Sequence, residues 1–275
     1  MTVFGQTEAR PLHYDQQHLP PALQILVGII AFSGAIGYLI LMIRTNRVRR
    51  LKHWPGRRLF FWLSGTLSAM LVFIGPFAEA AHHDFRIHMA GHLLLGMLAP
   101  LLIALSAPVT LLLRALPVPA ARRLTKALRH PIARFYRNPV TASVLNIGGL
   151  WLLYATPLFQ LMHHHLWLYL LIHVHVFAAG YLFTISMLYI DPAPHRCSYV
   201  FRTIVFICAL AAHGILSKSI YADLLPGFPP DQVREGAMLM YYGGDLVDLV
   251  IIILLFHGWY RDTAPRHSYQ KIESS

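Results

Sequence analysis

"PALQILVGIIAFSGAIGYLILMI" (residues 21–43) contains no charged residue and is long enough to cross a bilayer core as a helix. Comparable apolar runs recur along the 275-residue chain, in which hydrophobic residues make up 56% and charged residues only 13%. A typical soluble domain has about twice that charged fraction. The sequence therefore predicts an all-α, polytopic membrane protein.

Seven candidate transmembrane helices follow from these runs. They are expected near 21–43, 59–78, 87–113, 140–160, 165–190, 200–221 and 237–259. The third contains Pro100 and Pro108, which predict a kink or an early end. The expected organisation is an outer polar segment (1–20), a single seven-helix transmembrane domain (21–260) and a cytoplasmic tail (261–275).

The basic residues set the predicted orientation. The net charge of +11 arises mainly between the apolar runs, so we expect it to reflect membrane orientation and not a nucleic-acid partner. Of the 23 Lys and Arg residues, all but Arg10, Arg86, Lys218 and Arg234 fall on one predicted face. The positive-inside rule then places the N-terminus outside and the C-terminus in the cytoplasm.

The 17 histidines show the opposite distribution, since most fall outside or in the outer half of a predicted helix. Ionisable groups within a span are costly and usually functional. His88 and His92 share one helix face at i and i+4. His173, His213 and Asp245 lie at comparable depth in three other helices. These five residues are the predicted metal ligands, although for any one position a neutral histidine bonded to a neighbouring helix is an equally good explanation.

Methionines near the same end favour copper as the metal. Met89 follows His88, and Met162 precedes a triple histidine. Imidazole and thioether ligands together suit copper, particularly Cu(I), although methionine is also common core filler.

The stretch "MHHHLWLYLLIHVHVF" (162–177) contains the densest group of histidines. The runs His163–His165 and His82–His83 either collect metal at the outer rim or are solvated loops. His173 is expected to point into the bundle, while His175 faces nearly the opposite way and is expected to be a hydrogen-bonded neighbour.

Three motifs carry a resemblance to a known family. They are "HMAGHLLLGMLAPLLIALSAPVTLLLRALP" (88–117), the pattern from His173 through Gly180 and Phe183 to "IDP" (190–192), and "DQVREGAMLMYYGGDLV" (231–247). Together they resemble the CtaG-type cytochrome c oxidase assembly factors, a polytopic bacterial family.

The resemblance implies a multi-pass protein of the bacterial plasma membrane that is needed for maturation of a haem-copper oxidase, with copper delivery as its role. The implied partners are an oxidase subunit, the lipid bilayer and a periplasmic or extracellular copper donor. The family's histidines match His88, His92 and His173, and its Asp-Gln pair matches Asp231 and Gln232.

Other functions stay open at this point. A b-type haem held between facing histidines would use the same residues, since histidine is a common axial ligand. His88 and His92 also mimic two ligands of H-E-x-x-H zinc hydrolases, but Met89 replaces the general-base glutamate. A proton-coupled transporter using Asp245 and Asp248 is a further alternative. There is no complete catalytic motif, so we expect a protein that is not an enzyme.

Overall fold

The computed structural model is 83% helix, and the residues it describes (19–48, 51–223 and 225–264) contain no strand. The predicted all-α class is therefore confirmed. The predicted outer segment 1–20 and tail 261–275 lie largely outside the described residues.

The helices follow one another with short connections, and two π-helical segments interrupt them. In chain order they are α1 (Pro21–Arg47), α2 (Gly56–Leu71), α3 (Pro76–His83), α4 (Phe85–Leu93), π1 (Leu94–Leu98), α5 (Ala99–Leu105), α6 (Pro108–Ala115), α7 (Val118–Leu128), α8 (Pro131–Tyr136), α9 (Pro139–Ser143), π2 (Val144–Gly148), α10 (Gly149–Tyr154), α11 (Leu158–His164), α12 (Leu166–Met187), α13 (Tyr199–Asp223) and α14 (Pro230–Thr263).

Five helical stretches in the described part of the chain are long and apolar enough to cross a membrane. Two bent pairs of helices also pass when each pair is counted as one span, which gives up to seven. The chain is thus a multi-pass membrane protein, and the predicted seven spans are the upper end of this range.

The two bent pairs replace two helices that the sequence predicts as continuous. The predicted helix 59–78 is α2 and α3, which meet at 47°, and the predicted helix 140–160 is α9–α10 and α11, which meet at 78°. At the first bend Gly75 has a φ of 84°, which side-chain-bearing residues rarely adopt. Pro76 then begins α3, a position that suits its fixed φ and missing N–H.

The predicted break in the third span lies between α5 and α6. Ala107 has a left-handed conformation (φ 53°), and Pro108 is the first residue of α6. Asp191 caps this helix from the segment after α12. Its carboxylate accepts hydrogen bonds from the Thr110 backbone N–H (2.7 Å) and hydroxyl (2.6 Å). Because a buried helix start leaves unsatisfied N–H groups, Asp191 stabilises the break.

Pro100 continues the helix without donating a backbone hydrogen bond. It has no N–H to donate to the carbonyl of Gly96, four residues earlier. Gly180 of α12 packs directly against this carbonyl, and a Cβ at position 180 would collide with the Gly96 oxygen. This close crossing holds α12 against π1.

The span Phe85–Ala115 is the centre of the bundle. Half of its most apolar window is buried, compared with 6% for α1, which packs mainly on α2 and α6 at the edge. The central helix contacts α12 and α14 through α4, π1 and α5. The predicted ligands on α4 therefore lie inside the protein.

Candidate functional site

Close packing of α14 on α4 fixes the position of His88 and His92, the two histidines of α4. A Cβ at Gly236 would lie 2.5 Å from the Phe85 ring, and one at Gly243 would lie 2.5 Å from Leu93. The motif "DQVREGAMLMYYGGDLV" thus supplies small residues where two helices approach closely. Glu235 of the same motif accepts a hydrogen bond from Arg86 at 3.0 Å.

Asp84 begins α4 just before the central span. Its carboxylate accepts from the Arg86 backbone N–H (2.8 Å) and also pairs with the Arg86 guanidinium. The hydrogen bond from this guanidinium lowers the pKa of Asp84 below its usual value. The helix that carries His88 and His92 therefore starts at a capped, charge-paired residue.

A cavity of about 40 Å³, the first cavity, lies between α3, α4, α11 and α12. It has room for a few water molecules or one ion. Its walls include the buried Met162 and Tyr154 and five histidines: His82, His88, His92, His163 and His173. Among the described residues that line it, none is Asp or Glu.

Two of these imidazoles have a defined tautomer. Nδ1 of His163 lies 2.8 Å from the Phe159 carbonyl, and Nδ1 of His173 lies 2.8 Å from the Tyr169 carbonyl. Because a carbonyl oxygen only accepts, each Nδ1 must carry the proton when the ring is neutral. Each Nε2 is then left with a lone pair, as in histidines that bind metal with a backbone carbonyl as the second partner.

The other rings pack around this pair. Nε2 of His88 is 3.2 Å from the Tyr154 hydroxyl, which lies 3.8 Å from the sulfur of Met89. The ring centroids of His88 and His163 are 6.2 Å apart, and those of His82 and His163 are 6.3 Å apart. Histidines from four separate helices thus gather around one small space.

A second cavity, of about 20 Å³, lies on the other side of His92. His92 lines both cavities, and the second also includes Met97, His213 and the buried Asp248. Nε2 of His92 and Nε2 of His213 are buried without a hydrogen-bond partner among the described residues. Both imidazoles therefore have a ring nitrogen available.

The five predicted ligands divide between these places. His88, His92 and His173 line the first cavity, and His213 lines the second with His92. Asp245 is exposed on α14 and lines neither cavity. In the described parts of the chain no group of three or more His, Cys, Asp or Glu residues is arranged to hold a metal ion.

The structure adds residues that sequence reasoning did not select. His82 and His163 are buried in the first cavity, whereas the sequence favours a rim or loop for both. On α11, His163 shares a buried face with Phe159 and Met162, an i, i+3, i+4 pattern that could have indicated its burial.

Asp248, not Asp245, is the buried carboxylate of α14. The buried positions of this helix recur every three or four residues, and Asp248 follows Gly244 at i+4 in that stripe. Asp245 is one residue past Gly244, about 100° around the helix, and is exposed. His175 is a hydrogen-bonded neighbour as expected, with its Nε2 3.1 Å from the Leu145 carbonyl.

The fold and the cavities define a multi-pass membrane protein with a histidine-lined interior. The chain belongs to the cytochrome c oxidase caa3 assembly factor family, whose profile matches residues 36–262. This match confirms the resemblance carried by the three motifs.

Curated relatives come from mycobacteria. An uncharacterized protein of Mycobacterium leprae is 28% identical over 258 residues, which cover 86% of this chain and 39% of that protein. An uncharacterized protein of Mycobacterium bovis is 36% identical over 204 residues, which cover 71% of this chain and 30% of that protein. The matched part of the chain thus spans only 39% and 30% of the length of these two relatives. No solved structure matches it significantly.

Proposed function

We propose that the protein binds copper in the first cavity and supplies it to a haem-copper oxidase during assembly. The main supporting observation is the pair His163 and His173, each with Nδ1 bonded to a backbone carbonyl and Nε2 left for a ligand. His88 and His92 of the predicted ligand set lie in the same cavity. Small movements of these side chains would complete an ion site.

The surroundings of the first cavity favour Cu(I). Imidazole and thioether groups suit this ion, and Met162 lines the same cavity. Burying a charge in a low-dielectric interior is costly unless it is compensated. Since the described walls offer no carboxylate, a single positive charge costs less here than a divalent one.

Cavity size favours an ion over the alternatives. Pockets for drug-sized ligands are roughly 300–1,000 Å³, and the first cavity is about 40 Å³. A b-type haem would need far more space than this. A zinc hydrolase would need a general base beside the metal, and the described lining residues include no Asp or Glu.

We place the first cavity on the outer side of the plasma membrane. The basic connections between α1 and α2 and between α6 and α9 lie at the opposite end of the bundle from α3 and α11. The positive-inside rule puts those connections in the cytoplasm.

Cysteine labelling tests this orientation. His164→Cys, in a chain whose Cys197 and Cys208 are replaced by Ser, should react with an impermeant maleimide in intact cells. Arg122→Cys should react only after lysis. The reverse pattern would overturn the orientation.

Copper measurement tests the proposed function. The full chain is purified in detergent, loaded with Cu(I) under reducing conditions and analysed for bound copper. The double variant His163→Ala/His173→Ala should lose the copper of the first cavity and fail to support oxidase assembly in cells. His165→Ala, the exposed neighbour of the same run, is the matched control and should match wild type. Equal copper and equal assembly in the double variant and wild type would contradict the proposal.

A further inference from the structure

We propose that the second cavity is a separate copper site, formed by His92, Met97, His213 and Asp248, and that His92 connects it to the first cavity. This inference rests on the proposed function, since it takes copper as the cargo. It adds a second copper site, deeper in the bundle, with a different set of ligands.

Two unpartnered ring nitrogens support the second site. His92 is 8% exposed and His213 is 4% exposed, and both line the cavity. Within the described residues, the Nε2 atom of each has no hydrogen-bond partner. A buried polar atom without a partner carries a free-energy cost. An occupant between these two nitrogens would remove that cost on both sides.

Gly244 provides the space that the His213 ring occupies. A Cβ at Gly244 would lie 2.6 Å from Cε1 of His213. Any larger residue at position 244 would displace this ring. Helix α14 thus accommodates the His213 imidazole at this position.

The π-helical segment π1 brings a thioether to the same wall. In a regular α-helix, residues i and i+5 point in clearly different directions. A π-helical turn contains an extra residue and closes between i and i+5. Met97 is five residues after His92. The segment π1 (Leu94–Leu98) begins after His92 and includes Met97. Both side chains consequently line the second cavity.

Asp248 gives the second cavity a carboxyl group. It is 5% exposed and lines the second cavity, while the described lining of the first contains no carboxylate. A cation is attracted to a buried carboxylate much more strongly than to neutral imidazoles alone. Thioether and imidazole ligands suit Cu(I), and an ionised carboxylate beside them leaves little net charge buried with the ion. When Asp248 is ionised, its negative charge therefore favours movement of the cation from the first cavity to the second.

His92 is placed to make that transfer. Its ring lines both cavities, and no hydrogen bond to a described residue holds its Nε2. Rotation of the ring from one side to the other breaks no such bond. A cation could thus exchange one set of ligands for the other without leaving the protein.

Copper stoichiometry in single variants tests the second site. The purified full chain, loaded with Cu(I) under reducing conditions, should hold about two copper ions. Asp248→Asn and Met97→Leu should each hold about one. Asp245→Asn and Met238→Leu change exposed residues of the same types on α14 and should keep both. Gel filtration and thermal unfolding of each variant check that the fold is intact.

The outcomes separate this inference from the proposed function. One copper in wild type that is lost in His163→Ala/His173→Ala and kept in Asp248→Asn overturns the second site but not the first. One copper that is lost in Asp248→Asn and kept in the double histidine variant supports the second site and contradicts the first. Loss in Asp245→Asn in place of Asp248→Asn overturns the ligand assignment, and no copper in wild type overturns both.

Discussion

His92 and His213 line the same small cavity, and each has a buried Nε2 atom without a partner among the described residues. They come from two helices that do not follow one another in the chain, α4 and α13. His92 lines the first cavity as well, so among the described residues it is the one histidine common to both. Substitutions of His92 and His213 are therefore expected to affect copper binding differently.

His92→Ala should weaken copper binding in both cavities, whereas His213→Ala should weaken it in the second alone. The reason is that removing the shared imidazole takes one ligand from each proposed site. Copper-to-protein ratios, measured against a competing Cu(I) chelator, would show the difference. Identical ratios for the two variants would contradict a shared role for His92. His195→Ala, exposed beyond α12, is a suitable control.

Gly180→Ala should destabilise the protein by about 3 kcal/mol or more, since overpacking against a backbone atom cannot be relieved by a rotamer change. The added methyl group would meet the Gly96 carbonyl oxygen. Thermal unfolding in detergent measures the effect. Gly37→Ala on α1 is the control, because a Cβ there meets nothing within 4 Å. Equal unfolding temperatures for both variants would show that α12 and π1 are not as close as described.

Asp191→Ala should lower stability by about 2 kcal/mol through loss of the cap on α6. Asp191→Asn should cost less, because an amide oxygen can still accept from Thr110. Proteolysis of the connection between α5 and α6, and thermal unfolding, would both report the change. Asp223→Ala, at the exposed end of α13, provides a comparison with little expected effect. An unchanged Asp191→Ala protein would mean that the carboxylate does not stabilise this helix start.

Asp84 should contribute a pH-dependent stability of up to about 1 kcal/mol, because it is partly exposed and pairs with Arg86. Its pKa in the folded protein is lowered from the usual 3.8 by the hydrogen bond from Arg86. A lowered folded-state pKa means that the contribution is present above the unfolded pKa and is lost as the pH falls through the folded value.

Unfolding measured between about pH 6 and pH 3 tests this expectation. Asp84→Asn keeps a capping oxygen but removes the charge, so its stability should change less over that interval. Glu79→Gln, on the exposed side of α3, should retain the wild-type profile. If stability depended on pH in the same way in wild type and Asp84→Asn, the Asp84–Arg86 ion pair would contribute nothing to stability.

The sequence predicts the class of fold well because the length of an apolar run can be read directly from consecutive residues. Every predicted helix overlaps a helix of the structure. The bends are harder to predict. At the first one, Gly75 and Pro76 are adjacent and could have indicated a helix end, but a continuous apolar run across them looks like a single span.

The site is less predictable because it depends on which helix faces meet. His88 and His92 follow from spacing within one helix, and the structure brings His173 to the same cavity. The choice between Asp245 and Asp248 depends on the buried stripe of α14, where small residues such as Gly244 mark the packed face. The depth of a residue in the membrane does not by itself distinguish Asp245 from Asp248.

The bends of α3 and α11 have a consequence for access to the interior. His82 lies on α3 and His163 on α11, and these short helices meet the helices before them at 47° and 78°. Neither short helix continues without a break into the long helix beside it. The helical span that begins at Phe85 carries His88 and His92, and α12 carries His173, whereas the two short helices carry His82 and His163. A change in either bend would therefore shift one histidine of the first cavity relative to the others.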